Sequence, residues 1–98
     1  MTAKFKITKG SGNVFHDLGF SREEAENLKL RSELMNRIDA FVEKSGLSQT
    51  DAAKRLGLTQ PRLNQLLKGK IGLFSLEALV NILSRAGMRV ELRVKKAA

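Results

Sequence analysis

Apolar side chains recur through the middle of the chain at intervals of three and four residues, the period of a helix with one buried face. Ala25, Leu28, Leu34, Met35, Ile38, Phe41 and Val42 keep that rhythm until Ser45 and Gly46, where glycine supplies a left-handed C-terminal cap. Ser21 and Glu24 have the spacing of a capping box, because the serine hydroxyl can accept from the backbone N–H three residues on while the glutamate reaches back. These marks predict a first long helix over residues 22–45. A second helix, barely two turns long, follows Ser48, carries Ala52, Ala53 and Leu56 on its apolar stripe and stops at Gly57. Thr59, Gln60 and Pro61 open another, with Leu63, Leu66 and Leu67 inward and Lys68 and Gly69 at its end. Proline is tolerated in a first turn, where its missing N–H would have no helical partner, so Gln60 and Arg62 are alternative starting points. Ser75, Glu77 and the run Leu76, Leu79, Val80, Ile82 and Leu83 predict a last helix to about Ala86, closed by Gly87.

The two ends of the chain read differently. Residues 1–20 hold Gly10, Gly12 and Gly19 among short apolar patches, with Phe5 and Ile7 alternating with lysines, which predicts a partly ordered arm. Val14, Phe15, Leu18 and Phe20 within it suit an apolar clasp over the first long helix. At the other end Met88, Val90, Leu92 and Val94 alternate with Arg89, Glu91, Arg93 and Lys95, the period-two pattern of a strand with one apolar face. A lone strand needs a partner, and the basic arm is one candidate. A second copy of the same strand is the better one, because two-fold pairing satisfies both edges and covers both apolar faces. The expectation is a homodimer held by Met88, Val90, Leu92 and Val94. The chain thus divides into an arm at 1–20, a helical domain at 21–87 and a strand with its tail at 88–98, and the fold class is mainly all-α.

Composition narrows the chemistry. Ninety-eight residues, 42% of them hydrophobic, make a single domain able to bury a core without disulfide or metal. The absence of cysteine removes zinc-finger and thiol chemistry. No apolar run approaches the roughly 18 residues of a membrane span, so a cytoplasmic protein without membrane contact is expected. Net charge is +8, an excess that points to a polyanion. It is concentrated in the second half of the chain. Residues 46–70 hold Lys54, Arg55, Arg62, Lys68 and Lys70 against Asp51 alone, and residues 71–98 hold Arg85, Arg89, Arg93, Lys95 and Lys96 against Glu77 and Glu91.

The two short helices at 49–69 have the spacing of a helix-turn-helix. Ala53 is small where the next helix must cross it, Gly57 turns the chain, and Leu58, Leu63 and Leu66 complete the scaffold. Outward on the following helix lie Arg62, Asn64, Gln65 and Lys68, with Gln60 at its N-terminal end. Gln and Asn can pair bidentately with adenine edges and Arg with guanine, so Gln60, Arg62, Asn64 and Gln65 are the candidate base-reading set. A merely solvated face would carry glutamate more often, although an ordinary helical hairpin also explains helix, glycine and helix alone. Gln49 is either a polar first-turn residue or a phosphate contact packed against Gln60. Thr50 and Lys70 are likewise solvated ends or, with Lys68, contacts to the DNA backbone.

The segment LSQTDAAKRLGLTQPRL at 47–63 with LLKGK at 66–70 resembles the helix-turn-helix of the phage-repressor-like (Xre) family. GNVFHDLGF at 12–20, EAENLKLRSELM at 24–35 and Phe74, Ser75 and Leu76 resemble a narrower group, the HigA-like antitoxins, and the similarity extends over residues 12–94. The resemblance implies a five-helix, lambda-repressor-like DNA-binding domain that represses its own operon and neutralises a RelE-like ribonuclease toxin. It also implies that the second of the paired helices enters the major groove, which places Gln60, Arg62, Asn64 and Gln65 there.

No catalytic set competes with this reading. His16 beside Asp17 has no nucleophile, metal set or glycine-rich phosphate loop around it, and Gly10, Ser11 and Gly12 suit a hinge. Neither enzyme activity, nor a cofactor, nor a metal is expected. Three function classes remain: an autorepressing antitoxin on an inverted-repeat operator, a stand-alone DNA-binding regulator, and a protein-interaction module with an incidental basic face.

Overall fold

The computed structural model describes residues 14–96; the residues on which Phe5, Ile7 and the Gly10 hinge fall, and the last two alanines, lie outside it. Five helices follow in order: α1 Val14–Asp17, α2 Arg22–Ser45, α3 Gln49–Leu56, α4 Gln60–Leu67 and α5 Leu76–Arg85. A single 3₁₀ turn, Ile71–Leu73, joins α4 to α5.

Each of the four longer helices starts at a side-chain cap that the sequence places there. Ser21, Ser48, Thr59 and Ser75 accept from the backbone N–H groups of Glu24, Asp51, Arg62 and Ala78 at 3.1–3.2 Å. Each cap occupies a donor that the helix itself leaves unpaired. At the first of them Glu24 Oε1 receives the Ser21 hydroxyl proton at 3.3 Å, a variant of the box expected from the spacing. Of the two alternative starts for α4, the helix takes Gln60, with Pro61 in the first turn.

The core lies between α2, α3, α4 and α5. Met35 and Ile38 of α2, Ala52, Ala53 and Leu56 of α3, Leu63 and Leu66 of α4, and Leu79, Ile82 and Leu83 of α5 close around Phe74, which is fully buried. Ala53 is 3% exposed, inside this core. A smaller cluster joins Phe15 to Ala25 and Leu28, with Val14 against it. Of the expected clasp, Phe15 is therefore inside, whereas Leu18 and Phe20 are exposed.

The alternating segment after Gly87 is not a strand. Residues 88–96 carry no regular secondary structure, and no strand occurs among the described residues. A strand exists through its hydrogen-bond ladder, and no described segment offers one a partner. Met88 and Val90 instead pack on the helical core, while Arg89 and Glu91 face outward and pair at 3.1 Å. The period-two pattern thus records a chain laid across helices. Leu92 and Val94, at 66% and 93% exposure, lack that cover.

Gly57 shapes the turn between α3 and α4. Its φ is +72°, its N–H bonds Lys54 O at 3.1 Å, and the Leu58 N–H bonds Ala53 O at 2.8 Å, closing the end of α3 in a Schellman motif. A side chain there is strained, and a Cβ would also collide with the Arg85 guanidinium. Gly46 has the same left-handed backbone with open space around it. Gly57→Ala is expected to lose the roughly 1–2 kcal/mol of left-handed strain plus whatever moving Arg85 requires. Gly46→Ala should lose the strain alone. Thermal unfolding of both decides it: equal melting temperatures would mean that Arg85 contributes nothing to the turn.

Candidate nucleic-acid interface

Gln60, Asn64 and Gln65 emerge away from the side of α4 that is spent on the core, and Arg62 lies at the border of that side against Phe74. Leu63 and Leu66 are buried, and between and around them Asn64 and Gln65 are half-buried and Gln60 is exposed. Lys68 and Lys70 are exposed just past the helix end. Gly69 ends α4 as Gly57 ends α3, so the two lysines flank a sharp exit from the helix.

The N-terminal ends of α3 and α4 come together. Thr50 Oγ1 donates to Gln60 Oε1 at 3.4 Å, which joins the start of α3 to the start of α4. Both are exposed, and the acceptance by Oε1 leaves the Gln60 amide donors turned to other partners. Two helix N-termini side by side present unpaired N–H groups and the positive ends of two helix dipoles, a setting that favours an anion. Asp51 in the first turn of α3 is the acidic exception near this surface; Gln49, Thr50, Gln60, Arg62, Asn64, Gln65, Lys68 and Lys70 include no acid.

Arg62 is more constrained than the sequence suggested. It is half-buried, and its guanidinium carbon lies 4.1 Å from the centre of the Phe74 ring. Phe74 belongs to the loop that follows α4, and that loop is gripped from α2. Arg31 Nη1 donates to Ile71 O and to Phe74 O, both at 3.2 Å, while its Nε donates to Asn27 Oδ1 at 2.7 Å. Sequence reasoning missed the links from Arg31 to the loop and from Phe74 to Arg62, since both span separations that no local period reports.

Arg55 belongs to the far side of the helix pair. Its Nε donates to Arg85 O at 3.3 Å and its guanidinium lies 5.6 Å from the Phe41 ring, tying α3 to α2 and to the end of α5. The local excess of positive charge read from 46–70 therefore divides between a structural tie and the α4 side. Among the described residues no three of histidine, aspartate and glutamate converge as metal ligands, and no helix is long and apolar enough to cross a membrane.

Comparison with known proteins places this geometry. A family described as a helix-turn-helix domain matches residues 14–95, nearly the whole described chain. A solved structure named as an XRE family transcriptional regulator superposes with a TM-score of 0.70 at 32% identity, covering 76% of this chain and 83% of that one. The chain belongs to the Xre-like helix-turn-helix family. This family and fold are those of DNA-binding transcriptional regulators. No curated protein matches the chain. α3 and α4 are consecutive short helices joined through the turn at Gly57, with Ala53, Leu63 and Leu66 in the core and Leu58 packed against it.

Proposed function

We propose that this Xre-like protein is a homodimeric repressor that reads double-stranded DNA with α4. The observation that carries the reading is the acid-free side of α4, from Gln60 to Lys70, set beside two converging helix N-termini. Gln60, Asn64 and Gln65 read base edges, adenine by preference, and Arg62 reads guanine. Gln49, Thr50, Lys68 and Lys70 hold phosphates on either side and set the register. Two protomers on an inverted repeat would place their α4 helices one duplex turn apart, about 34–36 Å, with half-sites about 10 bp apart.

The test is an operator selected from a random duplex pool and titrated beside random DNA. Gln60→Ala and Gln65→Ala are each expected to lose roughly 1–3 kcal/mol on the selected duplex and little on random DNA. Equal losses on both would contradict base reading.

The resemblance of residues 12–35 and 74–76 to HigA-like antitoxins supports a further step: the repressor controls its own operon and neutralises a RelE-like ribonuclease toxin encoded beside it. Co-expression with a neighbouring frame for a small basic protein should yield a stable complex and relieve growth arrest. A stand-alone regulator is the second reading, favoured by the solved relative, which is named as a transcriptional regulator alone. Absence of both complex and relief selects it.

A further inference from the structure

We propose that Phe74, a core residue that is 0% exposed, is a positioning residue that orients the Arg62 guanidinium for DNA, an inference that rests on the DNA-binding reading of α4. Four observations point to this. The guanidinium lies over the Phe74 ring at 4.1 Å, well inside the roughly 6 Å range of cation–π attraction. Phe74 is held in turn, because Arg31 takes its carbonyl and that of Ile71, anchoring the loop to α2. Arg62 sits in the first turn of α4, between Gln60 and Asn64, and its own backbone N–H is fixed by the Thr59 cap. Among the described residues no hydrogen-bond acceptor takes its side-chain donors.

The geometry matters because of how a guanidinium donates. Its five N–H groups radiate in its own plane, and a base edge or phosphate is met by that rim and not by the face. The Phe74 ring holds the guanidinium at 4.1 Å without accepting a hydrogen bond from it, so the N–H donors stay available. A long, many-rotamer arginine side chain loses conformational freedom when it docks. Holding the head group against a buried ring removes part of that loss before DNA arrives, the general advantage of preorganisation. The chain of support runs from Asn27 and Arg31 on α2, through the loop carbonyls and the Phe74 ring, to the guanidinium.

The experiment is a double-mutant cycle on the full chain with Phe74→Leu, which keeps an apolar side chain but removes the π face, and Arg62→Met, which removes the charge. The readout is the ratio of affinities for the selected operator and for random duplex, at fixed salt. Phe74→Leu is expected to lower that ratio about tenfold while leaving the salt slope near the parent's, since no phosphate contact is removed. In the Arg62→Met background it should lower the ratio no further. An unchanged ratio for Phe74→Leu, or losses that multiply independently in the double variant, would overturn the proposal.

Should Phe74→Leu fail to fold, NMR of the parent decides. The Arg62 δ-methylene protons should be shifted upfield by the ring and its Nε–H should be ordered. Random-coil shifts and a mobile Nε–H would overturn the platform. A parent that binds no duplex overturns the DNA reading itself, and the proposal with it; a parent that binds while Phe74→Leu keeps full selectivity overturns only the role of the ring.

Discussion

Raising monovalent salt from 50 to 200 mM is expected to weaken operator binding about 10³-fold. Three cations on each protomer can meet phosphate: Lys68 and Lys70 past the end of α4 and the exposed Lys54 on α3. Arg55 is not counted, because its guanidinium is engaged with Arg85 O and Phe41. A dimer then neutralises about six phosphates, and each releases condensed counterions, giving a log–log slope on the order of −5. Changing Lys68 and Lys70 to Gln removes four cations per dimer and should flatten the slope by about 3–4. Random DNA should show the same change, because phosphate contacts carry no sequence information. A parental slope near zero would defeat the DNA reading, and an unchanged slope in the double variant would show that the cations past α4 do not touch the duplex.

What was legible in the sequence was local. Ser21, Ser48, Thr59 and Ser75 each act within three residues of themselves, so the starts of α2 to α5 could be read from spacing alone, and Gly57 marks a turn whose geometry only a few residues decide. The helical period likewise reports which side of one helix is apolar. It cannot report what another helix places against it. Arg31 gripping the carbonyls of Ile71 and Phe74, and Phe74 lying under Arg62, depend on how α2 and α4 are arranged about the loop, and Phe74 alone reads as an ordinary core residue. The helical turn Val14–Asp17 is too short to show a period, although the apolar clasp expected there correctly marked Phe15. The error at the C-terminus has a different origin. Alternation shows only that every second side chain is covered, and helices can cover Met88 and Val90 as well as a second strand can.

That correction changes how the dimer must be tested. Val90 packs on its own chain's helices, so Val90→Lys, or removal of everything after Gly87, would damage the fold along with any interface. Leu92 and Val94 are the members of the alternating set left in solvent, and the exposed Leu30 on α2 lines the same groove as Leu92. An apolar strip of this kind on a chain with net charge +8 is what a second copy would cover in the proposed dimer. Leu92→Lys with Val94→Lys should therefore leave the melting temperature near the parent's, since exposed substitutions away from special features usually change stability by less than about 0.5 kcal/mol. It should abolish the dimer at micromolar concentration in sedimentation. A second half-site reader held by the dimer acts at an effective concentration that multiplies affinity, so operator binding should fall about 10²- to 10⁴-fold. The sign of the charge change sharpens the result: two added lysines per protomer can only strengthen attraction to phosphate, so random DNA should be bound as well as before or better. A loss confined to the operator cannot then be an electrostatic artefact. If the variant remains dimeric with parental operator affinity, Leu92 and Val94 do not hold the protomers together, and the two-fold contact lies on the helices.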